Sequence, residues 1–464
     1  MLERKILDRL KEWKSRNHSS LVIKGQRQVG KTFIVRRFGE ESYEHFVELN
    51  LDADPTLRSA FDDDRNVDVI LMRLEVLIGS EDLVPGSTLL FLDEIQSCPK
   101  AYSSLKAFTM DGRFDVIASG SLLGVDQTAG DNQDVLQPVG YVEHMTMYSL
   151  DFEEFVWSRG ISRRSVDYIR ESIASKHPLG DAILSRMNSL FHEFMAVGGM
   201  PAAVQMLSDT NSLDKAGKVI TDIIEECKRD INRYTDANEK GKTLECFLSI
   251  PSQLAETNTR FEYSRISGGK SRKSRDTYRE NLLWIEGAGY GNFCYALTEP
   301  SMPLEHHANR KLFRIYMSDT GVLTHMSEDH DDLVRELIVG GGRYNIGYIM
   351  ENVVAECLMK CGKSIYYYIK RSGKDMMELD FVISMNGRVG VIEVKSGKDR
   401  VAPSIRKSSH YFDIDRRIMF ENGDIRVDPD GIEHYPLFAA AFLDSMLAPK
   451  GELTASPPGD LPLP

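Results

Sequence analysis

Near the N-terminus, Leu21-Val-Ile-Lys-Gly25-Gln26-Arg27-Gln28-Val29-Gly30-Lys31-Thr32 is a short apolar run that turns into G-x-x-x-x-G-K-T, and Phe33 continues into a helical pattern. A strand can deliver such a loop with its backbone N–H groups aimed at phosphate oxygens, and the positive end of the following helix adds to that field. Lys31 would neutralise the β- and γ-phosphates of a nucleoside triphosphate, and the Thr32 hydroxyl would hold Mg²⁺. Further on, Leu89-Leu-Phe-Leu-Asp93-Glu94 reads as a buried strand ending in two carboxylates. Asp93 would hold the metal through its water shell, and Glu94 would orient and polarise the attacking water. Read alone, Asp-Glu could merely close a strand; its spacing from a full phosphate loop favours the chemical role. Val116-Ile-Ala-Ser119-Gly-Ser121 is a further strand ending in small hydroxyl residues. Ser119 is the candidate sensor of the γ-phosphate, although Ser-Gly-Ser is also ordinary turn chemistry.

A second group of chemical residues lies far along the chain. Asp380 opens the apolar run Phe-Val-Ile, and Val391-Ile-Glu393-Val-Lys395 follows on the next one. Side chains repeat every two residues along a strand, so Glu393 and Lys395 share a face. With Asp380 from the neighbouring strand, two carboxylates could chelate Mg²⁺ while Lys395 stabilises charge on an attacked phosphate. Glu351, on a helix beginning near Tyr348, adds a further acid. An isolated E-x-K is common on the polar face of an exposed strand, so the full constellation carries the reading.

The elements that must position these residues follow from periodicity. Residues 1–20 read as an amphipathic helix with Ile6, Leu7, Leu10 and Trp13 on one stripe. Strand-like runs recur at Phe46–Leu49, Leu89–Leu92, Val116–Ala118 and around Val142–Met147, with helical stretches between most of them. That alternation predicts a mainly parallel sheet covered by helices on both faces. Residues 151–245 look helical, with a break at Gly198-Gly-Met-Pro201. The stretches 244–255, 261–266 and 273–283 have the rhythm of three short helices, followed by strand-like runs at Asn292–Leu297 and Leu312–Met317 that could form a wing. Lys270, Arg272, Lys273, Arg275 and Arg279 make the densest basic cluster here, suited to DNA phosphates or, more plainly, a solvated loop or an internal contact to acidic surface. Strands at Ile365–Lys370, Leu379–Ser384 and Gly390–Lys395 close the ordered part, and the Pro- and Gly-rich 448–464 reads as a disordered tail.

Bulk properties narrow the class. A chain of 464 residues is too long for one core. The net charge of −13 argues against a protein that coats nucleic acid over its whole surface, while leaving room for a local basic patch. Six cysteines (98, 227, 246, 294, 357, 361) are scattered, without the paired spacing of a zinc site, and read as reduced core thiols. His306, His307 and His330 read as surface residues. No apolar stretch is long enough to span a bilayer, and the N-terminus lacks a signal-peptide core; the expected location is cytoplasmic.

The residues 25–32, Leu92-Asp-Glu-Ile-Gln96, Ser119-Gly-Ser121 and Leu150-Asp-Phe-Glu-Glu-Phe155 resemble those of bacterial and archaeal AAA-type ATPases. More narrowly, they resemble the archaeal-type family in which the P-loop ATPase is followed by a conserved C-terminal domain of unknown function. Gly198-Gly-Met-Pro201 and Lys228-Arg-Asp-Ile-Asn-Arg-Tyr234 match that family's helical segment, and the resemblance runs to about residue 445. It implies ATP and Mg²⁺ as cofactors and a winged-helix segment in the middle. The family carries Gly-Arg after Pro-Val, whereas this chain reads Pro138-Val-Gly140-Tyr141; a Tyr cannot supply that charge. Arg113 and Arg159 are candidates by position for an arginine finger. Glu351, Asp380, Glu393 and Lys395 resemble the PD-(D/E)XK nuclease superfamily, which implies a restriction-endonuclease-like α/β fold.

The expected architecture is α/β throughout. A P-loop NTPase domain spans 1–155, a helical segment 156–244, a winged-helix-like segment 245–330 and a nuclease-like domain 331–447. Three functions compete: a nucleotide-switched ATPase that binds DNA or a protein, an ATP-gated Mg²⁺-dependent DNA nuclease, and a protein-remodelling ATPase acting as an oligomer.

Overall fold

The fold is that of a computed structural model, which describes residues 1–16, 19–62, 66–79, 82–121, 140–235, 239–256, 260–266, 275–395 and 403–447. Pro138 and Val139, the basic residues Lys270, Arg272 and Lys273, and the expected tail at 448–464 lie outside the described residues.

The first sheet contains β1 (Ser20–Lys24), β2 (His45–Asn50), β3 (Thr88–Asp93), β4 (Asp115–Gly120) and β5 (Val142–Thr146), in the order β2-β3-β4-β1-β5. Every pairing in it is parallel. Strand alternation sends Leu21, Ile23, Leu89, Phe91 and Ile117 to one face and Val22, Leu90, Leu92, Val116 and Ala118 to the other. Both faces must therefore be covered. The helices Lys5–Ser15 and Lys31–Ser42 cover the first with Ile6, Leu7, Leu10, Trp13, Ile34, Val35 and Phe38. The helices Val67–Ile78 and Pro99–Asp111 cover the second with Ile70, Leu74, Leu105 and Phe108. Trp13 and Phe38 are fully buried, and each contributes on the order of 2–3 kcal/mol.

The second sheet is mixed. It contains β6 (Gly291–Leu297), β7 (Ala308–Met317), β8 (Tyr366–Lys370), β9 (Met377–Met385), β10 (Arg388–Val394), β11 (Arg416–Glu421), β12 (Arg426–Val427) and β13 (Glu433–Pro436). Their order is β12-β13-β11-β10-β9-β8-β6-β7. The β6–β7 pair is antiparallel, as a wing would be, but β6 also joins β8 in parallel register through Tyr295↔Tyr366. The pair is the margin of a larger sheet rather than a free-standing wing. The physical reason is its composition: Phe293, Cys294, Phe313 and Ile315 are all buried, and a lone hairpin cannot bury that much apolar surface. Helices at Lys240–Leu254, Tyr263–Ile266 and Arg275–Gly287 correspond to the three short helices expected.

One buried cluster runs from Leu150 to Met446 and includes Phe194 and Val197 of the helix Asp181–Val197, Ile220 of the helix Leu213–Tyr234, and Phe381 and Ile392 of the second sheet. The segments 156–244, 245–330 and 331–447 share that core. The molecule thus has a first lobe built on the parallel sheet and a second lobe holding everything after it. None of the six cysteines forms a disulfide among the described residues, and five of them are buried. Among the described residues no helix is long and apolar enough to cross a membrane.

Candidate functional site

β1 ends at Lys24, and the chain passes through the loop 25–30 into the helix Lys31–Ser42. A Cβ at Gly25 would sit 2.2 Å from the Met147 carbonyl oxygen, so only glycine lets the loop pass the end of β5. Gly30 has φ 94°, a conformation that side chains resist; it starts the helix with its unpaired N–H groups opening onto the loop. Parallel sheets place ligands at the carboxyl ends of their strands, and this loop lies there.

The Lys31 ammonium is buried and donates to the carbonyl oxygens of Gly25 (2.9 Å) and Gln26 (3.0 Å). Burial pushes its pKa down to about 8, with Glu94 and Asp93 opposing that fall and Arg27 adding to it. At the end of β3, Asp93 collects three donors. Thr32 Oγ1 lies 3.1 and 3.3 Å from its two oxygens, Asn50 Nδ2 is 3.1 Å from Oδ2, and the Ser119 hydroxyl donates to Oδ1. Burial raises the Asp93 pKa, and the Ser119 and Thr32 hydroxyls pull it back. Glu94 follows in the left-handed region at φ 54° and accepts a hydrogen bond from Gln96 Nε2. A non-glycine residue held there is strained, a feature that clusters at functional sites.

The structure therefore gathers Lys31, Thr32, Asp93, Glu94 and Ser119 at the carboxyl ends of the strands β1, β3 and β4. Ser119 differs from expectation in one respect: it is fully buried and its hydroxyl is committed to Asp93. The donor set around Thr32 and Asp93 is all oxygen, which suits a hard cation such as Mg²⁺. Asn50 was not visible as a site residue from its type, yet the register finds it, because Asn50 pairs with Asp93 across β2 and β3.

The candidate arginines lie elsewhere. Arg113 precedes β4, at the amino end of the strands, held by Asp111 and Asp68. Arg159 pairs with Glu193 at 3.0 Å and donates to Asn211. Tyr141 precedes β5, whose Val142 aligns with Ser20 at the start of β1. Five strand residues separate that edge from the phosphate loop, roughly 15 Å. Within one chain, then, a charge at position 141 would not reach the loop.

The second constellation is also brought together. Asp380 on β9 and Glu393 on the adjacent antiparallel β10, Lys395 just beyond it, and Glu351 on the helix Gly347–Lys360 line one cleft of about 470 Å³. Val394 N donates to Asp380 Oδ2 at 2.9 Å, and Lys395 Nζ is 2.6 Å from Glu393 Oε1. The other Glu393 oxygen is buried without a hydrogen-bond partner. Burial, then the nearby Asp380 charge, pushes Glu351 up to about 7 and Glu393 up to about 8. Sequence reasoning missed Arg314 on β7. Its guanidinium is 2.6 Å from Glu378 and 3.5 Å from Glu351, and it lies over the Tyr367 ring. Arg260 and Phe261 line the same cleft, so the middle helices reach the carboxylates. An orphaned carboxylate oxygen beside Asp380 suits a cation, although among the described residues no group of three or more acidic, His or Cys side chains is close enough to hold one as it stands.

A five-stranded parallel sheet with this loop and an acid-ended strand is a P-loop nucleotide-binding fold, and residues 17–156 match the family described as an AAA domain. The first lobe accordingly has a P-loop nucleotide-binding fold and is similar to AAA domains. The particular relatives are distant. Residues 188–333 match a family described only as a domain of unknown function (DUF8612), and residues 346–437 match another (DUF4143). Among solved structures, the chain is similar to a Walker-type ATPase of Pyrococcus abyssi, with 11% identity and a TM-score of 0.43 over 70% of this chain and 96% of that one. The ORC2 protein of Aeropyrum pernix, as ADPNP-ADP complexes, is similar with 14% identity and a TM-score of 0.35 over 72% and 91%. The ORC1 protein of the same organism, in complex with DNA, gives 13% and 0.28 over 71% and 93%. No curated protein matches the chain.

Proposed function

We propose that this chain is a Mg²⁺-dependent ATP-binding and -hydrolysing protein whose nucleotide state switches how its second lobe engages DNA. The convergence of Thr32, Asn50 and Ser119 on Asp93, beside Lys31 and Glu94, carries the reading. Lys31 would leave the Gly25 and Gln26 carbonyls for the β- and γ-phosphates, and backbone N–H groups of 25–33 would cradle the remaining oxygens. Thr32 and Asp93 would hold Mg²⁺, which supplies charge neutralisation on the transferring phosphoryl group. Glu94 would orient and polarise the attacking water. Ser119 fits the role of fixing the Asp93 carboxylate better than that of touching the γ-phosphate, because its hydroxyl is already on Asp93. Contact with DNA rests on the basic run that ends at Arg275 and Arg279. An oligomer, or a protein partner, fits the same switch.

A second reading, an ATP-gated nuclease, is favoured by the unpartnered Glu393 oxygen next to Asp380 and Lys395. The deciding experiment incubates supercoiled, linear and single-stranded DNA with the full chain and Mg²⁺ or Mn²⁺, with and without ATP. Cutting lost in Lys395→Ala makes the protein a nuclease, and loss in Lys31→Ala as well makes it ATP-gated. Binding without cutting supports the switched DNA-binding ATPase. If the wild type and Lys31→Ala have the same ATP affinity, the nucleotide reading falls.

A further inference from the structure

The phosphate loop is tied to the second lobe through one buried acid. Asp230 lies near the end of the helix Leu213–Tyr234 and is 9% exposed. Its Oδ1 is 3.2 Å from Nη1 of Arg27, a residue of the loop itself, and its Oδ2 accepts a hydrogen bond from the Tyr290 hydroxyl at 3.1 Å. Tyr290 is buried at the turn between the helix Arg275–Gly287 and β6. Its carbonyl accepts from Ser318 N, just past the end of β7, at 3.2 Å. The contacts therefore run without a gap from the phosphate loop, through Asp230, to the margin of the eight-stranded sheet.

The charges at the loop end make this link exchangeable. Arg27 lies close enough to Lys31 to push that ammonium's pKa down, so both cations bear on the same volume. A triphosphate entering it meets both, and it competes with the Asp230 carboxylate for the Arg27 guanidinium. Charge-assisted pairs of guanidinium with phosphate or carboxylate are similar in strength, and the polyphosphate brings the larger charge. Burial raises the Asp230 pKa and Arg27 holds it down, which means that losing Arg27 changes what Asp230 asks of Tyr290.

We propose that Asp230 is a nucleotide-exchanged latch: it holds Arg27 while the phosphate site is empty and yields it to ATP, so that Tyr290 and the start of β6 report occupancy to the second lobe. The latch rests on the ATP-binding reading above. Exchange of one ion-pair partner for another is a two-state element that both sites bias, which is what coupling between sites requires.

The test uses the full chain with Mg²⁺ and a fluorescent ATP analogue, alongside hydrogen exchange over residues 285–297 with and without ATP. Asp230→Asn removes this carboxylate's competition for Arg27 and is expected to bind ATP about fivefold more tightly. Arg27→Ala is expected to bind more weakly, and adding Asp230→Asn to it should restore nothing. ATP should change exchange over 285–297 in the wild type, and that response should vanish in Asp230→Asn and in Tyr290→Phe, which removes the hydroxyl at the far end of the link together with its bond to Cys227. Thermal melts check that each variant is folded. Unchanged or weaker ATP binding by Asp230→Asn overturns the latch, as does an exchange response that survives in both variants. A wild-type chain that binds no ATP overturns the nucleotide reading instead, so the two failures are distinguishable.

Discussion

The hydroxyl of Thr32, at the start of the helix after β1, lies 3.1 Å from the carboxylate of Asp93 at the end of β3, although 61 residues separate them in the chain and β4 lies between β1 and β3 in the sheet. β4 is interposed between β1 and β3, and it contributes Ser119 to the same carboxylate. The pairing explains why a loop at residue 25 and a strand end at residue 93 act as one site.

Lys31 holds the carbonyls of Gly25 and Gln26 and is the buried cation that would meet a phosphate's charge. Lys31→Ala is expected to weaken ATP binding on the order of 100-fold, since charged hydrogen bonds contribute about 1.5–3 kcal/mol each and more than one is lost. Equilibrium binding of a fluorescent nucleotide measures it.

Glu94 follows Asp93 in the chain and accepts a hydrogen bond from Gln96 Nε2. Glu94→Gln keeps shape and loses the charge that polarises water, so ATP affinity should stay within about threefold while turnover falls by roughly 10²–10⁴. Single-turnover phosphate release separates the two quantities; a variant that still turns over normally would remove Glu94 from the mechanism.

Nucleotide affinity should depend on pH through Lys31. Burial lowers its pKa to about 8, so above that value a site without nucleotide would hold a neutral amine. Phosphate favours the ammonium, and binding then takes up a proton. Affinity should consequently be flat below pH 8 and fall by up to about tenfold per unit above it. Titration calorimetry in buffers of different ionisation enthalpy would register the proton uptake.

Arg314 is the cation that pairs with Glu378 and Glu351 in the carboxylate cleft, as Lys395 pairs with Glu393. Removing it leaves Glu351 and Glu378 facing one another without their shared partner. Arg314→Ala is expected to destabilise the second lobe by about 3 kcal/mol. Denaturant unfolding checks the size, and Glu351→Gln combined with Arg314→Ala should recover part of the loss.

The metal affinity of that cleft should rise with pH. Glu351 and Glu393 are pushed up to about 7 and 8 by burial and by Asp380, so at neutral pH each carries its proton for much of the time. A divalent cation needs the anions and would displace those protons. Mn²⁺ binding followed between pH 6 and 9 should tighten through this window, and a flat profile would remove the cleft as a cation site.

Much of the first lobe was legible from residue order because its signals are local. A run of buried β-branched and apolar residues, a glycine where a loop must pass a carbonyl, and carboxylates at a strand's end are all short-range requirements, and Gly25, Lys31, Asp93 and Glu94 meet them within a few residues. Alternation likewise placed Glu393 beside Lys395, and the neighbouring strand brought Asp380 to them. What only the tertiary structure decided are the contacts made by residues that look ordinary in their own segment. Asn50 reaches Asp93 through strand register, Arg314 enters the carboxylate cleft from β7, and Asp230 meets Arg27 and Tyr290 from a helix that gives no local sign of it. The β6–β7 hairpin joined the larger sheet for a related reason: burying its aromatic residues requires a neighbour, and the choice of neighbour depends on the packing of the whole second lobe. A local pattern states what a residue needs; which distant side chain meets that need is set by the global packing.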